Sequence, residues 1–140
     1  MTNKLPKIEK DLAYRKRGGT AQWLLLLCGT CKKEITLYQK DGPGQLLRLY
    51  LDRITGSQGE RPFKNINYEQ IKNLSCLACN SVIATPMIYG KDDRPRTALR
   101  LINNGVEKVQ LNYKDKPFSG PIIPLETMKT ILVTYPEAND

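Results

Sequence analysis

Histidine is absent from the 140-residue chain. Its absence removes the usual general base near neutral pH, the Ser-His and Cys-His nucleophile arrangements, and every mixed Cys-His metal site. No apolar run approaches the roughly 20 residues of a membrane-spanning helix. The N-terminal stretch is polar and basic, without the apolar segment of a signal peptide, so the expected setting is intracellular, cytoplasmic or nuclear, with no membrane partner. Acidic residues are in the minority: 14 Asp and Glu face 22 Lys and Arg, for a net charge of +8. There is one tryptophan, Trp23. No low-complexity segment or second domain boundary stands out.

What the chain does have is four cysteines in two Cys-x-x-Cys pairs, Cys28 with Cys31 and Cys76 with Cys79. Two thiolates two residues apart on a tight turn can grip one ion, and two such turns complete a tetrahedral set. Two redox pairs, two disulfides or four unligated thiols are the alternatives, and a reducing compartment disfavours structural disulfides. Thiolate softness and tetrahedral geometry point to one zinc ion, with iron the main rival. Four thiolates on Zn²⁺ leave a net charge of about −2, which Lys32 and Lys33 beside the first pair would soften. With four protein ligands no position stays open for water, so the site reads as structural and the chain as not an enzyme. The loop acids Asp92, Asp93, Glu60 and Glu69 are expected to be solvated rather than catalytic.

The pattern along the chain predicts a mainly β protein. The expected architecture is two small antiparallel sheets joined by the four-cysteine site, with a basic flexible or helical arm over 1–19, a single domain over 20–140, and a short C-terminal helix or strand. The apolar run Ala21 to Cys28 reads as a buried strand, and Glu34 to Asp41 alternates like a half-buried one. Gly42-Pro43-Gly44 is expected to turn the chain into a returning strand over Leu47 to Leu51. Thr55 to Tyr68 has the composition of an exposed loop. Asn104-Gly105, between two alternating runs, predicts a β-hairpin. Cys28, Cys31 and Ile35 recur as Cys76, Cys79 and Ile83 at one constant offset, and Leu47-Arg48-Leu49 recurs as Leu99-Arg100-Leu101. The chain thus reads as two similar halves joined at the metal.

Two distant Cys-x-x-Cys knuckles, with the turn and strand from Gly42 to Leu51 between them, resemble the beta-tent superfamily. Yippee proteins, the ligand-binding domain of cereblon, B-type methionine sulfoxide reductases and the C-terminal domains of innate immune RNA sensors share that arrangement. The resemblance covers roughly residues 20 to 112 and implies two antiparallel sheets meeting at a four-cysteine zinc site. It does not carry activity across: a B-type reductase needs a further cysteine, and the cereblon pocket is a cage of tryptophans.

Half of the net charge sits in the first twenty residues, where Lys4, Lys7, Lys10, Arg15, Lys16 and Arg17 face Glu9 and Asp11. Such an arm suits phosphate backbones or an acidic protein surface, or serves solubility alone. The expected nucleic-acid contacts are Arg15, Lys16, Arg17, Arg48, Lys91, Arg94, Arg96 and Arg100. Tyr14, Trp23, Tyr38, Tyr50 and Tyr89 would stack on bases if exposed, and would otherwise fill the core. A protein-interaction module presenting the loop 55–68 is the alternative.

Overall fold

In the computed structural model, which describes residues 5–56, 59–64, 66–89, 96–111, 129 and 132, the apolar run folds as strand β1 (Ala21–Cys28). A cysteine turn reverses it into β2 (Glu34–Asp41), followed by the short strands β3 (Arg48–Tyr50) and β4 (Ile54–Thr55). The second half runs β5 (Leu74–Ser75), cysteine turn, β6 (Val82–Tyr89), β7 (Arg96–Leu101) and β8 (Val106–Leu111). One four-stranded sheet has the order β4-β2-β1-β8 and the other β3-β7-β6-β5. All neighbours are antiparallel.

Both cysteine turns lead into the same irregularity. Leu26 faces Thr36 and Leu27 faces Glu34, which leaves Ile35 as an extra residue. Leu74 faces Ala84 and Ser75 faces Val82, which leaves Ile83 extra in the same way. A bulge bends its strand and re-aims a side chain, and here both isoleucines turn into the core beneath the cysteines.

Two expectations about pairing are corrected. The strand after Gly42-Pro43-Gly44 does not return along β2; β3 crosses to the other sheet, where Arg48, Leu49 and Tyr50 face Arg100, Leu99 and Ala98. Asn104 adopts a positive φ of 63° and the Gly105 N–H donates to the Ile102 carbonyl at 2.7 Å, so the turn is tight. Yet β7 and β8 lie in different sheets and form no hairpin. Both edges of β7 are already taken by β3 and β6, and the free edge open to β8 is that of β1. Each half therefore lends one strand to the other half's sheet. Pro86 sits in β6 beyond the reach of the short β5, where a missing N–H leaves no ladder bond unmade.

Between the sheets lies the main core, with Leu24, Leu26, Leu49, Leu74, Ile83 and Leu99 at its centre. Phe63, from the segment expected to be an exposed loop, is 1% exposed and joins that core. Lys129 and Leu132 are the described residues of the tail; both are helical, and Leu132 is fully buried in the same core.

The outer face of the first sheet is covered as well. Trp23, Leu25 and Leu37 form a second cluster, packed under Leu5 and Ile8 of the N-terminal arm and Leu111 of β8. Buried Gln39 holds the arm like one rung of a ladder. Its Oε1 accepts from the Glu9 N–H at 2.7 Å, and its Nε2 donates to the Glu9 carbonyl at 3.0 Å. The arm ends in helix α1 (Leu12–Lys16), capped by the Asp11 carboxylate, which accepts from the Tyr14 N–H at 3.0 Å. A short polar side chain at this position satisfies a helix-end N–H that has no partner within the helix.

Candidate metal centre and basic cleft

The two cysteine turns are copies of one another in their backbone bonds. In the first, the Lys32 N–H donates to Cys28 O at 2.9 Å and the Cys28 N–H to Lys33 O at 2.7 Å. In the second, Asn80 donates to Cys76 O at 2.8 Å and Cys76 to Ser81 O at 2.9 Å. Lys32 and Asn80 both take a positive φ, 68° and 64°. The left-handed residue after each second cysteine closes the turn and brings its two sulfurs to one side.

All four sulfurs lie within 4.8 Å of one another. Cys28 and Cys79 are 3.7 Å apart and Cys31 and Cys76 3.5 Å, far beyond the ~2.05 Å of a disulfide. A tetrahedron with metal–sulfur bonds of about 2.3 Å has edges of about 3.8 Å. The spacing therefore suits a single tetrahedral ion, and Cys28, Cys31, Cys76 and Cys79 can hold one metal. One sulfur of each pairing comes from each half, so an ion there ties the two sheets together.

The sulfurs also hold their protons unequally. The Ser81 hydroxyl and N–H pull the Cys79 thiol down to about 6. The Lys33 N–H favours the Cys31 thiolate, but burial and the three neighbouring sulfurs outweigh it and push that thiol up to about 11. Four clustered thiolates need a cation to coexist. Around the cluster, Lys32 Nζ pairs with Glu107 at 2.8 Å. Gly29 is required for a steric reason: a Cβ there would lie 1.9 Å from the Asn104 carbonyl oxygen.

The residues expected to contact nucleic acid divide into three groups. Lys91 and Arg94 lie outside the described residues. Arg15 and Lys16 are exposed in the last turn of α1. Arg17, Arg48, Arg96 and Arg100 gather on one side of the second sheet, since Arg48 faces Arg100 across the β3/β7 ladder and Arg96 sits on the same side of β7. Tyr50 and Tyr89 share that face, and the arginines cover them. The Arg96 guanidinium lies 3.8 Å from the Tyr50 ring centre and that of Arg48 3.9 Å from Tyr89.

Base stacking on the expected aromatics is not what the geometry provides. Trp23, Tyr38 and Tyr50 are buried, and the Tyr14 hydroxyl is spent on the Gly19 carbonyl at 2.6 Å. Trp23 fills the outer cluster, and Tyr38 Oη accepts from the Tyr50 N–H at 2.8 Å. Burial holds the Tyr38 hydroxyl well above the usual phenol range despite that bond.

Under the arginine face lies a cavity of about 40 Å³ between the residue that ends α1, β2, the 43–47 segment, β3 and β7. Lys40 and Arg53, which sequence reasoning did not single out, line it together with Arg17, Arg48, Tyr50 and Arg96, and with one carboxylate, Asp41, which is paired with Arg53. Arg53 is 1% exposed and fully engaged: it grips both Asp11 oxygens, at 2.6 and 3.1 Å, and Asp41 at 2.9 Å. Burial disfavours its charge, but those two carboxylates more than reverse the effect, so its guanidinium holds its proton more tightly than usual. Lys40 is 8% exposed and donates to the Gly42 carbonyl at 2.8 Å. Burial, with Arg17 and Lys108 nearby, lowers its hold on its proton. A signal for Lys40 did exist, because strand alternation places it on the same face as Tyr38 and so points it inward.

No protein family, curated protein or solved structure matches this chain.

Proposed function

We propose that the ion is zinc, that its role is structural, and that the protein is a non-enzymatic binding module of beta-tent type that contacts nucleic acid through its arginine face. Four soft thiolates at tetrahedral spacing support zinc over harder ions. A complete protein ligand set leaves the ion no open position for a substrate. The two sheets meeting at two matched knuckles support the beta-tent kinship.

The observation that carries the nucleic-acid reading is the convergence of Arg17, Arg48, Arg96 and Arg100 on one face. Only Arg96 among them has a carboxylate partner among the described residues, Asp52 at 2.6 Å. With Tyr50 buried and the Arg48 guanidinium over Tyr89, such a face would engage phosphates rather than bases, and binding would depend little on sequence.

Zinc is tested by metal analysis together with X-ray absorption, which should give one ion with four sulfurs at about 2.3 Å; iron in the site would overturn it. Nucleic-acid binding is tested by oligonucleotide affinity across a salt series. A steep fall with salt is expected, and Arg100→Gln should reduce the slope of log affinity against log salt by about one. Absent or salt-insensitive binding would leave an acidic protein surface as the partner.

A further inference from the structure

The arginine face explains Arg100, but it does not explain why cations also line the half-open cavity beneath it. Burying a charge costs stability unless a partner compensates it. Arg53 has Asp11 and Asp41, and Arg96 has Asp52. Buried Lys40, half-buried Arg48 and exposed Arg17 have no carboxylate partner among the described residues, so the uncompensated burial falls on Lys40 above all. Arg17 and Arg48 both donate to Tyr50 Oη, at 3.0 and 3.4 Å. Of the three protons on Lys40 Nζ, one is accounted for by the Gly42 carbonyl.

One residue of the cavity wall also carries an unsatisfied donor. Arg96 Nε is buried and without a hydrogen-bond partner, although the rest of that guanidinium is fixed by Asp52 and the Tyr50 ring. Buried donors without acceptors are uncommon in folded proteins. That nitrogen is closed off from the cavity space, so Arg96 adds positive charge to the wall rather than a contact.

We propose that this cavity is a binding site for one tetrahedral oxyanion, a phosphate group, held by Arg17, Lys40 and Arg48, with Tyr50 Oη completing the donor set. Size supports the assignment. A volume of about 40 Å³ holds about three waters, at roughly 10–15 Å³ each on this measure, which suits a small ion and excludes a nucleobase or a sugar. An ammonium whose charge is strained by burial and by a neighbouring guanidinium gains from an anion placed between them. Guanidinium and ammonium groups form short, charge-assisted bonds to phosphate oxygens. The site goes beyond the surface reading, which needs Arg100 and not the cavity. The phosphate can come from a free phosphate ester or from a nucleic-acid strand.

The test is a titration of the metal-loaded protein with inorganic phosphate, followed by amide chemical shifts at an ionic strength held constant with chloride. Saturable shifts are expected at the residues around the cavity. Arg48→Gln and Lys40→Met should each weaken binding about tenfold or more. Arg100→Gln, on the same face but outside the cavity, should leave phosphate binding unchanged while flattening the salt slope for oligonucleotide. Each variant's own spectrum shows whether it is folded, and Arg48→Gln removes no core packing. The absence of saturable binding up to ~10 mM phosphate, or an equal loss in Arg48→Gln and Arg100→Gln, would overturn the site and leave the surface reading standing. Phosphate binding that needs Lys40 and Arg48 in a protein that ignores oligonucleotide would uphold the site and overturn the surface reading. Where both bind, displacement of phosphate by oligonucleotide assigns the source to the strand, and persistence assigns it to a free ester.

Discussion

The two sheets begin with the same cysteine turn and the same bulge, yet they end up in opposite environments. The first is covered on both faces, with the core beneath Leu24 and Leu26 and the N-terminal arm over Trp23, Leu25 and Leu37. Its central strand β1 is accordingly apolar without a break from Trp23 to Cys28. The second sheet buries Leu99 on one face and carries Arg96 and Arg100 on the other. Its strand β7 mixes polar and apolar residues, with Ala98 and Leu99 buried and Arg100 exposed. The local turn is therefore indifferent to what covers the strands, and the composition of the strands records how many faces are buried.

The four-cysteine site draws one pair of sulfurs from each half, and removing an ion held there should have the largest effect. Structural zinc contributes on the order of 10–16 kcal/mol in finger peptides, more than the usual stability of a domain this size. Chelation should abolish the cooperative thermal transition seen by circular dichroism; a melt unchanged after verified metal loss would show that the exchanged strands β3 and β8 hold the sheets together alone.

Next comes the cover of the first sheet. Trp23→Ala should cost about 3–5 kcal/mol in urea unfolding, because both Leu5 and Ile8 pack on that cluster. Truncating the basic arm should be similarly damaging, since it strips the same face. A cost near zero would show that the arm leaves the sheet in solution.

The ion pair joining arm to sheet ranks third. Asp11→Asn removes one carboxylate from buried Arg53 and should cost about 2 kcal/mol near neutral pH. Burial pushes the Asp11 carboxyl up, but the Arg53 hydrogen bonds, the Tyr14 N–H and the Arg53 and Arg96 charges together hold it below its ordinary 3.8. A depressed carboxylate stabilises the fold fully above its unfolded value and loses that contribution as pH falls through the lower folded value. The gap between wild type and Asp11→Asn should therefore be constant above about pH 4 and close below it. A gap that persists unchanged to pH 2 would mean that the charge of Asp11 contributes nothing.

Smallest of all is the open face of the second sheet. Arg100→Gln should change stability by less than about 0.5 kcal/mol, in contrast to its expected effect on polyanion binding. A large loss of stability would mean that this face, too, is structurally covered.

Much of the metal centre was legible in the residues. The ligands, the two-sheet architecture and the recurrence of Ile35 and Ile83 all follow from spacing, because a cysteine turn and a bulge are built by a few neighbouring residues. The cavity was not legible. Lys40 comes from β2, Tyr50 from β3 and Arg53 from the tight helical turn after β3, and Asp11, which neutralises Arg53, comes from the arm. Nothing local to Arg53 shows that it is buried. The segment around Phe63 misled in the same manner, since a polar loop composition hides a single apolar anchor.

By itself, the sequence determined the metal ligands, the left-handed turn positions and the face each strand side chain takes, all of which depend on φ and ψ within a few residues. Only the tertiary structure decided the partners. Asn104-Gly105 reverses the chain as its residues require, but β8 joins β1 because β7 has no free edge. Gly42-Pro43-Gly44 turns as expected, but β3 finds its neighbour in the other sheet. A turn sets direction through local sterics, whereas an edge is satisfied by whichever unpaired strand the whole fold brings beside it.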